Sequence, residues 1–221
     1  AKFAQCQDIS ATDIDGILAF LDEHKDINYV VVAPDDPLAM GLVDILNKKG
    51  YMTFGPTKDA AIIESSKTYA KSLMKKYNIP TADYEVFDNY DNAIEYLKTA
   101  KYPLVVKADG LALGKGVVIC QDFDSAQTAV EDMMLNKKFG TSGNKIVIEQ
   151  FLKGFEVSVL AFTDGQTLVT MPPSQDHKRV FDADQGPNTG GMGTFAPSPK
   201  FTQKMQDYAY HNIFMPTLKA L

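Results

Sequence analysis

The chain has 221 residues, 45% of them hydrophobic, with 28 acidic against 22 basic side chains and a formal net charge of −6. This is the composition of an ordinary folded protein with room for one large or two small domains. Without a block of like charges it points away from nucleic acid as a partner, while small anions stay open because local lysines matter more than the total.

The elements, in chain order, begin with a helix capped by Thr12 or Asp13, whose apolar positions are Ile14, Ile17, Leu18 and Leu21. Tyr29 to Ala33 reads as a short strand of the kind buried in a parallel sheet. Pro34-Asp35-Asp36-Pro37 is a turn, and Pro37 opens a helix carrying Leu38, Leu42, Ile45 and Leu46 that stops at Gly50. Tyr51 to Phe54 is a further strand, so residues 9–55 read α-β-α-β, part of a doubly wound layer. Such a layer normally opens with a strand. None is visible before Ile9 and the chain starts Ala1-Lys2-Phe3, so a missing N-terminal portion is expected.

Gly55-Pro56-Thr57 is a plausible boundary. A helix follows around Ser65 to Tyr77, then a strand over Tyr84 to Phe87, a helix over Asp91 to Thr99, and two strands, Pro103 to Val106 and Val117 to Cys120. A helix from about Asp124 and a strand over Lys145 to Phe151 complete a β-α-β-β-α-β order, a split βαβ module with a small antiparallel sheet and helices on one face. Phe155 to Phe162 is another strand, joined through Asp164-Gly165 to Thr167 to Met171. Residues 172–199 show little periodicity and many Gly, Pro, Asn and Asp, a long irregular segment of the functional or disordered kind. Thr202 caps a last helix through Met205, Ala209 and Ile213. There is no internal repeat, no apolar run of membrane-spanning length and no signal peptide before the first element. Cys6 and Cys120 lie far apart without metal-ligand spacing, as expected of buried or idle thiols in a reducing cytoplasm.

The chemistry concentrates between the two middle strands, in Lys107-Ala108-Asp109-Gly110-Leu111-Ala112-Leu113-Gly114-Lys115-Gly116. Two cations and three glycines on a hairpin suit a polyphosphate: glycines let backbone N–H groups approach anionic oxygens, and lysines add point charges. The loop runs strand to strand, so it is not a P-loop, which opens a helix. It reads as a flap closing over a nucleotide.

This module, with a lysine on the strand before the flap and Glu149-Gln150-Phe151-Leu152 as a hinge after it, resembles the ATP-grasp superfamily. Five ordered segments narrow the resemblance: Phe54-Gly55-Pro56-Thr57, Glu64-Ser65-Ser66-Lys67, the flap from Val106 to Val117, Ser174-Gln175-Asp176-His177-Lys178-Arg179, and Gly186-Pro187-Asn188-Thr189-Gly190-Gly191-Met192-Gly193. Together they are similar to the phosphoribosylamine–glycine ligase (glycinamide ribonucleotide synthetase) family. The resemblance implies an α/β protein, α+β in the lid: an ATP-grasp fold preceded by part of a Rossmann-like N-terminal layer. It divides the chain into the remainder of an N-terminal domain (1–58), a partial ATP-grasp core (59–80 and 152–221) and a lid (81–151).

The activity implied is ATP-dependent ligation of glycine to 5-phosphoribosylamine, in the cytoplasm, within purine biosynthesis. ATP and Mg²⁺ (or Mn²⁺) are the implied cofactors and the two small molecules the partners, with no nucleic acid or membrane. Lys67, Lys107, Gly110, Gly114, Lys115, Gly116, Glu149, Phe151, Leu152 and Glu156 are expected at ATP. Asp176, Lys178 and Arg179 are expected to be catalytic, and His177, Asp184, Asn188, Thr189, Gly190 and Gly191 to lie at the other substrates. From spacing alone Lys67 would join Lys71, Lys75 and Lys76 on a solvated helix face, Phe151 and Leu152 serve core packing equally well, and His177 suits a structural hydrogen bond. Relatives of this kind run to roughly twice the length, so the metal ligands are expected beyond Leu221. Asp35 stands where the family usually has glutamate, Phe181 where it has glycine and Gln185 where it has threonine. Another ATP-grasp ligase and a non-catalytic nucleotide-binding module are the rival readings.

Overall fold

The computed structural model describes residues 3–112, 115–177, 179–182 and 185–221, with backbone alone at 179, 187 and 188. Gly114, Lys178 and Asp184 therefore lie outside the described residues.

The N-terminal layer comprises α1 (Ile14–Glu23), β1 (Tyr29–Val31), α2 (Asp35–Met40), α3 (Leu42–Lys48), β2 (Met52–Phe54) and α4 (Lys58–Ser65). Asp13, not Thr12, caps α1, its Oδ1 accepting from the Gly16 N–H at 2.9 Å. β1 and β2 pair in parallel, Tyr29 opposite Met52 and Val31 opposite Phe54. Leu21, Val32, Leu42, Val43 and Leu46 form the core of this layer. The single helix expected after Pro37 is broken in two. Gly41 takes φ +90°, the left-handed region that favours glycine, and turns the chain between α2 and α3. Pro37 falls inside α2 rather than at its first residue. α4 was not expected: its stripe is short, and Thr57, read as part of a boundary, caps it.

The lid follows α5 (Lys67–Lys76) and consists of β3 (Tyr84–Phe87), α6 (Tyr90–Leu97), β4 (Leu104–Ala108), β5 (Val117–Cys120), α7 (Phe123–Val130) and β6 (Ile146–Gln150). The four strands form one sheet in the order β3-β6-β4-β5, every pair antiparallel, the split βαβ arrangement expected. Strand alternation sends Leu104, Val106, Ala108, Ile146 and Ile148 toward α6 and α7, where they pack with Ala93, Leu97, Ala126, Val130 and Met133. Asp122 and Ser125 make a reciprocal capping box at the start of α7. α7 runs on into a π-helical turn, Glu131–Leu135.

Beyond the lid the strands are short. β7 (Ala161–Thr163) and β8 (Leu168–Thr170) form a hairpin, with Gly165 at φ +91° in the turn. The strand expected from Phe155 is confined to β7, and Ser158 only bridges Ser174. The segment expected to be irregular is instead two nested antiparallel ladders. β9 (Gln175–Asp176) pairs with β12 (Thr194–Phe195), and between them β10 (Arg179–Phe181) pairs with β11 (Gln185–Asn188). Two-residue ladders are too short to show a period of two, so the sequence carries no sign of them. Thr202 caps α8 (Gln203–Ala209), which continues through a π-helical turn into α9 (Met215–Ala220). No helix among the described residues is long and apolar enough to cross a membrane.

Candidate active site

The sheet face turned away from α6 and α7 carries the charge. Val105 lies opposite Glu149 and Lys107 opposite Val147, so Lys107 and Glu149 are diagonal neighbours on that face. α5 lies against it. Lys67 and Lys71, one helical turn apart, point the same way. The Glu149 carboxylate is ion-paired at Oε2 with Lys71 and at Oε1 with Lys107. Its side chain is 5% exposed, that of Lys71 11% and that of Lys107 29%. Lys71 also donates to Thr81 Oγ1 at 2.7 Å and lies 5.4 Å from the centre of the Tyr84 ring.

Burial holds the Lys107 ammonium below the ordinary lysine range, and the charges of Lys71 and Lys67 push it further the same way, against Glu156. Three ammonium groups, those of Lys67, Lys71 and Lys107, thus stand near the carboxylates of Glu149 and Glu156.

Asp109, immediately past this lysine strand, ties the flap to α5. Its backbone carbonyl accepts from the Lys67 N–H at 3.0 Å and its Oδ1 from the Thr68 N–H at 2.7 Å, a carboxylate at a helix N-terminus. The Lys67 ammonium donates to the Gly110 carbonyl at 3.1 Å. The flap base is close-packed. A Cβ on Gly110 would stand 2.5 Å from Ser142 Oγ, and one on Gly116 2.8 Å from the Ala112 Cβ. These two glycines thus have a packing reason besides any approach to phosphate. Lys115 is exposed on the flap. A cleft of about 200 Å³ opens where the flap meets the N-terminal layer, lined by Asp35, Asp36, Glu64, Lys67, Ala112 and Gly116.

The other expected residues fall into two further places. Gln150 and Phe151 line a pocket of about 580 Å³ at the end of the lid sheet, with Tyr84, Tyr96 and Tyr102. Leu152, 64% exposed, points away from the core, and Glu156 is exposed on the chain leaving the hinge. Asp176, His177, Thr189, Gly190 and Gly191 sit together on the nested ladders. There the His177 N–H donates to the Gly193 carbonyl at 2.9 Å, the Met192 N–H to the His177 carbonyl at 2.7 Å, and the Gly191 N–H to Thr189 Oγ1 at 3.1 Å. The backbones of Arg179 and Asn188 pair with each other across β10 and β11. Among the described residues no group of three or more His, Cys, Asp or Glu is placed to hold a metal ion.

Two residues escaped the sequence reading. Lys71, read as solvent-facing, is buried on Glu149. The signal was available: Glu149 ends an otherwise apolar run, Ile146-Val147-Ile148, and a buried carboxylate requires a buried counter-charge. Asp109 belongs to the flap motif, and nothing local marks its carboxylate as an acceptor for the Thr68 N–H at the start of α5, 41 residues earlier.

A split βαβ lid with a strand-to-strand glycine flap and a lysine–carboxylate set on its open face is the architecture of the ATP-grasp proteins. The crystal structure of a phosphoribosylamine–glycine ligase from Thermotoga maritima superposes with a TM-score of 0.74 at 35% identity, covering 88% of this chain and 47% of that one. The biotin carboxylase domain of the Hydrogenobacter thermophilus 2-oxoglutarate carboxylase, solved with MgADP, reaches 0.71 over 98% of this chain and 47% of its own at 15% identity, a likeness of fold alone. Residues 1–64 match the family model of the phosphoribosylglycinamide synthetase N domain and residues 65–221 that of its ATP-grasp (A) domain. A phosphoribosylamine–glycine ligase of Halalkalibacterium halodurans is 48% identical over 218 residues, 99% of this chain and 51% of the relative. The chain belongs to the phosphoribosylglycinamide synthetase family, and it spans about half the length of the curated relatives it matches.

Proposed function

We propose that this chain forms the nucleotide-binding half of a ligase that joins glycine to 5-phosphoribosylamine, giving glycinamide ribonucleotide, ADP and phosphate in de novo purine biosynthesis. The observation that carries this reading is the 48% identity along essentially the whole chain to a ligase of that name. The convergence of Lys67, Lys71 and Lys107 beneath a glycine flap supports it. A carboxylate is a poor electrophile until one oxygen becomes a leaving group, so glycine is activated as glycyl phosphate before the amine attacks. Catalysis then rests on aligning three anionic ligands and neutralising their charge.

On this reading Lys107 and Lys115 contact the triphosphate and Lys67 holds the flap base beside it. The backbone of Glu149 to Leu152, together with Glu156, takes the adenosine end, while the Glu149 carboxylate faces Lys71 and Lys107. The nested ladders carrying Asp176, His177, Arg179, Asn188, Thr189, Gly190 and Gly191 face glycine and the phosphoribosyl group. The domain division is an N-terminal layer, a lid of residues 81–151 and a partial core on either side of it. We assign the ligands of the divalent cation to the half of the relatives' length that this chain does not span. The 221 residues alone should therefore show no turnover. The cytoplasm is the compartment we assign.

The test is product formation by the protein at its full genetic length, with ATP, Mg²⁺ and a panel of glycine, aspartate and bicarbonate as acyl donors. Glycine alone should be used. Preference for another donor would replace this reading with a different ligase, and ATP binding without any turnover would replace it with a nucleotide sensor. Lys107→Ala and Lys115→Ala should each depress catalysis, and unchanged kinetics in both would remove the flap from the mechanism.

A further inference from the structure

Glu149 is a buried carboxylate held by two ammonium groups, and the two are not equivalent. Lys71 is fixed on several sides: by Glu149 Oε2, by Thr81 Oγ1 at 2.7 Å, by the Ala82 carbonyl at 3.5 Å and by the face of Tyr84 at 5.4 Å. Lys107 reaches Glu149 Oε1 from a strand end at the mouth of the flap, and its side chain is 29% exposed against 11% for Lys71.

An anion arriving under the flap competes with Glu149 for Lys107. If Glu149 had Lys107 alone, that exchange would leave a carboxylate buried and unpaired, and Lys107 would stay where it is. With Lys71 in place the carboxylate keeps a full partner throughout.

From this we infer that Lys71 is a positioning residue for nucleotide binding: it retains the Glu149 carboxylate so that the Lys107 ammonium is free to move to a phosphate oxygen and back. The inference rests on the reading of Lys107 as a phosphate contact. Lys71 itself touches no nucleotide; it acts through Glu149. The same logic gives Glu149 a restraining part, since its charge holds Lys107 in the absence of an anion.

The experiment measures ATP affinity by calorimetry on the protein at its full genetic length, for the wild type, Lys107→Met, Lys71→Met, Glu149→Gln and the double variant Lys71→Met/Glu149→Gln. Lys71→Met should weaken ATP about 10- to 100-fold, the worth of one hydrogen bond to a charged group. The double variant should return to within about threefold of the wild type, because removing the carboxylate's charge releases Lys107. Glu149→Gln alone should bind at least as tightly as the wild type. A merely structural role for Lys71 predicts the reverse, a double variant as weak as Lys71→Met alone.

The inference is overturned if Lys71→Met binds like the wild type while Lys107→Met does not. It is equally overturned if the double variant stays as weak as Lys71→Met, or if Glu149→Gln weakens binding. Should Lys71→Met fail to fold, by circular dichroism, the double variant and Glu149→Gln decide the matter in the same way. If instead the wild type fails to bind ATP, or Lys107→Met leaves affinity untouched, the nucleotide reading of the site is what has failed.

Discussion

In the lid, Leu97, Val106, Met133 and Ile146 have no exposed surface, whereas on the hairpin after it Leu160, Phe162, Val169 and Met171 are 40–62% exposed. The amino acids are of the same kind; what differs is whether the elements that follow in sequence supply a cover. The lid strands are interleaved with α6 and α7, which return onto the sheet within a few residues and seal one face. β7 and β8 are followed by ladders and turns, and a two-stranded hairpin cannot bury its own apolar face. Phe162 leans instead toward Phe54 of the N-terminal layer, ring centres 5.9 Å apart. The lid thus carries its own core, and the region holding the expected glycine and phosphoribosyl contacts depends on what packs against it.

The contrast can be broken most directly by truncating one side chain in each region. Leu97→Ala should cost about 2–5 kcal/mol, as for other fully buried leucines, and Phe162→Ala about 0.5 kcal/mol, as for exposed positions, both by equilibrium unfolding. Equal losses would show the hairpin to be as well packed as the lid.

A smaller effect sharpens it through pH. Hydrogen bonds from the Ser125 side chain and backbone hold the Asp122 carboxyl below its ordinary value of 3.8. A group depressed in the folded state stabilises fully above its unfolded value and loses that contribution as pH falls through the folded one. Thermal melting should therefore fall on acidification through the range below about pH 4, and Asp122→Asn should flatten that limb. An unchanged acid limb would show that the capping box contributes no pH-dependent stability.

The smallest readout is chemical. Cys120 lies fully inside the lid, and burial pushes its thiol up to about 11, while Cys6 is exposed. At pH 8 only about one Cys120 in a thousand is thiolate, so alkylation should label Cys6 quickly and Cys120 only on unfolding. Rapid labelling of both would mean that the lid opens far more readily than its packing implies.

The lid was legible because its signals are local. Short apolar strands and two helical segments recur in the order that a split βαβ unit demands. The helix break at Gly41 was hidden by an apolar stripe that runs through it, and α4 by a cap read as a boundary. Among the candidate site residues, Lys107 and the flap glycines stand out by spacing. Lys71 did not, since a lysine on a helix is written identically whether it meets water or a carboxylate.

By itself, then, the sequence determined the kinds of element, their order, and the strand-to-strand loop with its lysines, all properties set by neighbours a few positions apart. Tertiary structure alone decided which charges meet. Lys71 and Glu149 stand 78 positions apart and are paired only because α5 lies on the open face of the sheet, and burial there, not residue type, makes one lysine a fixed partner and another a movable one.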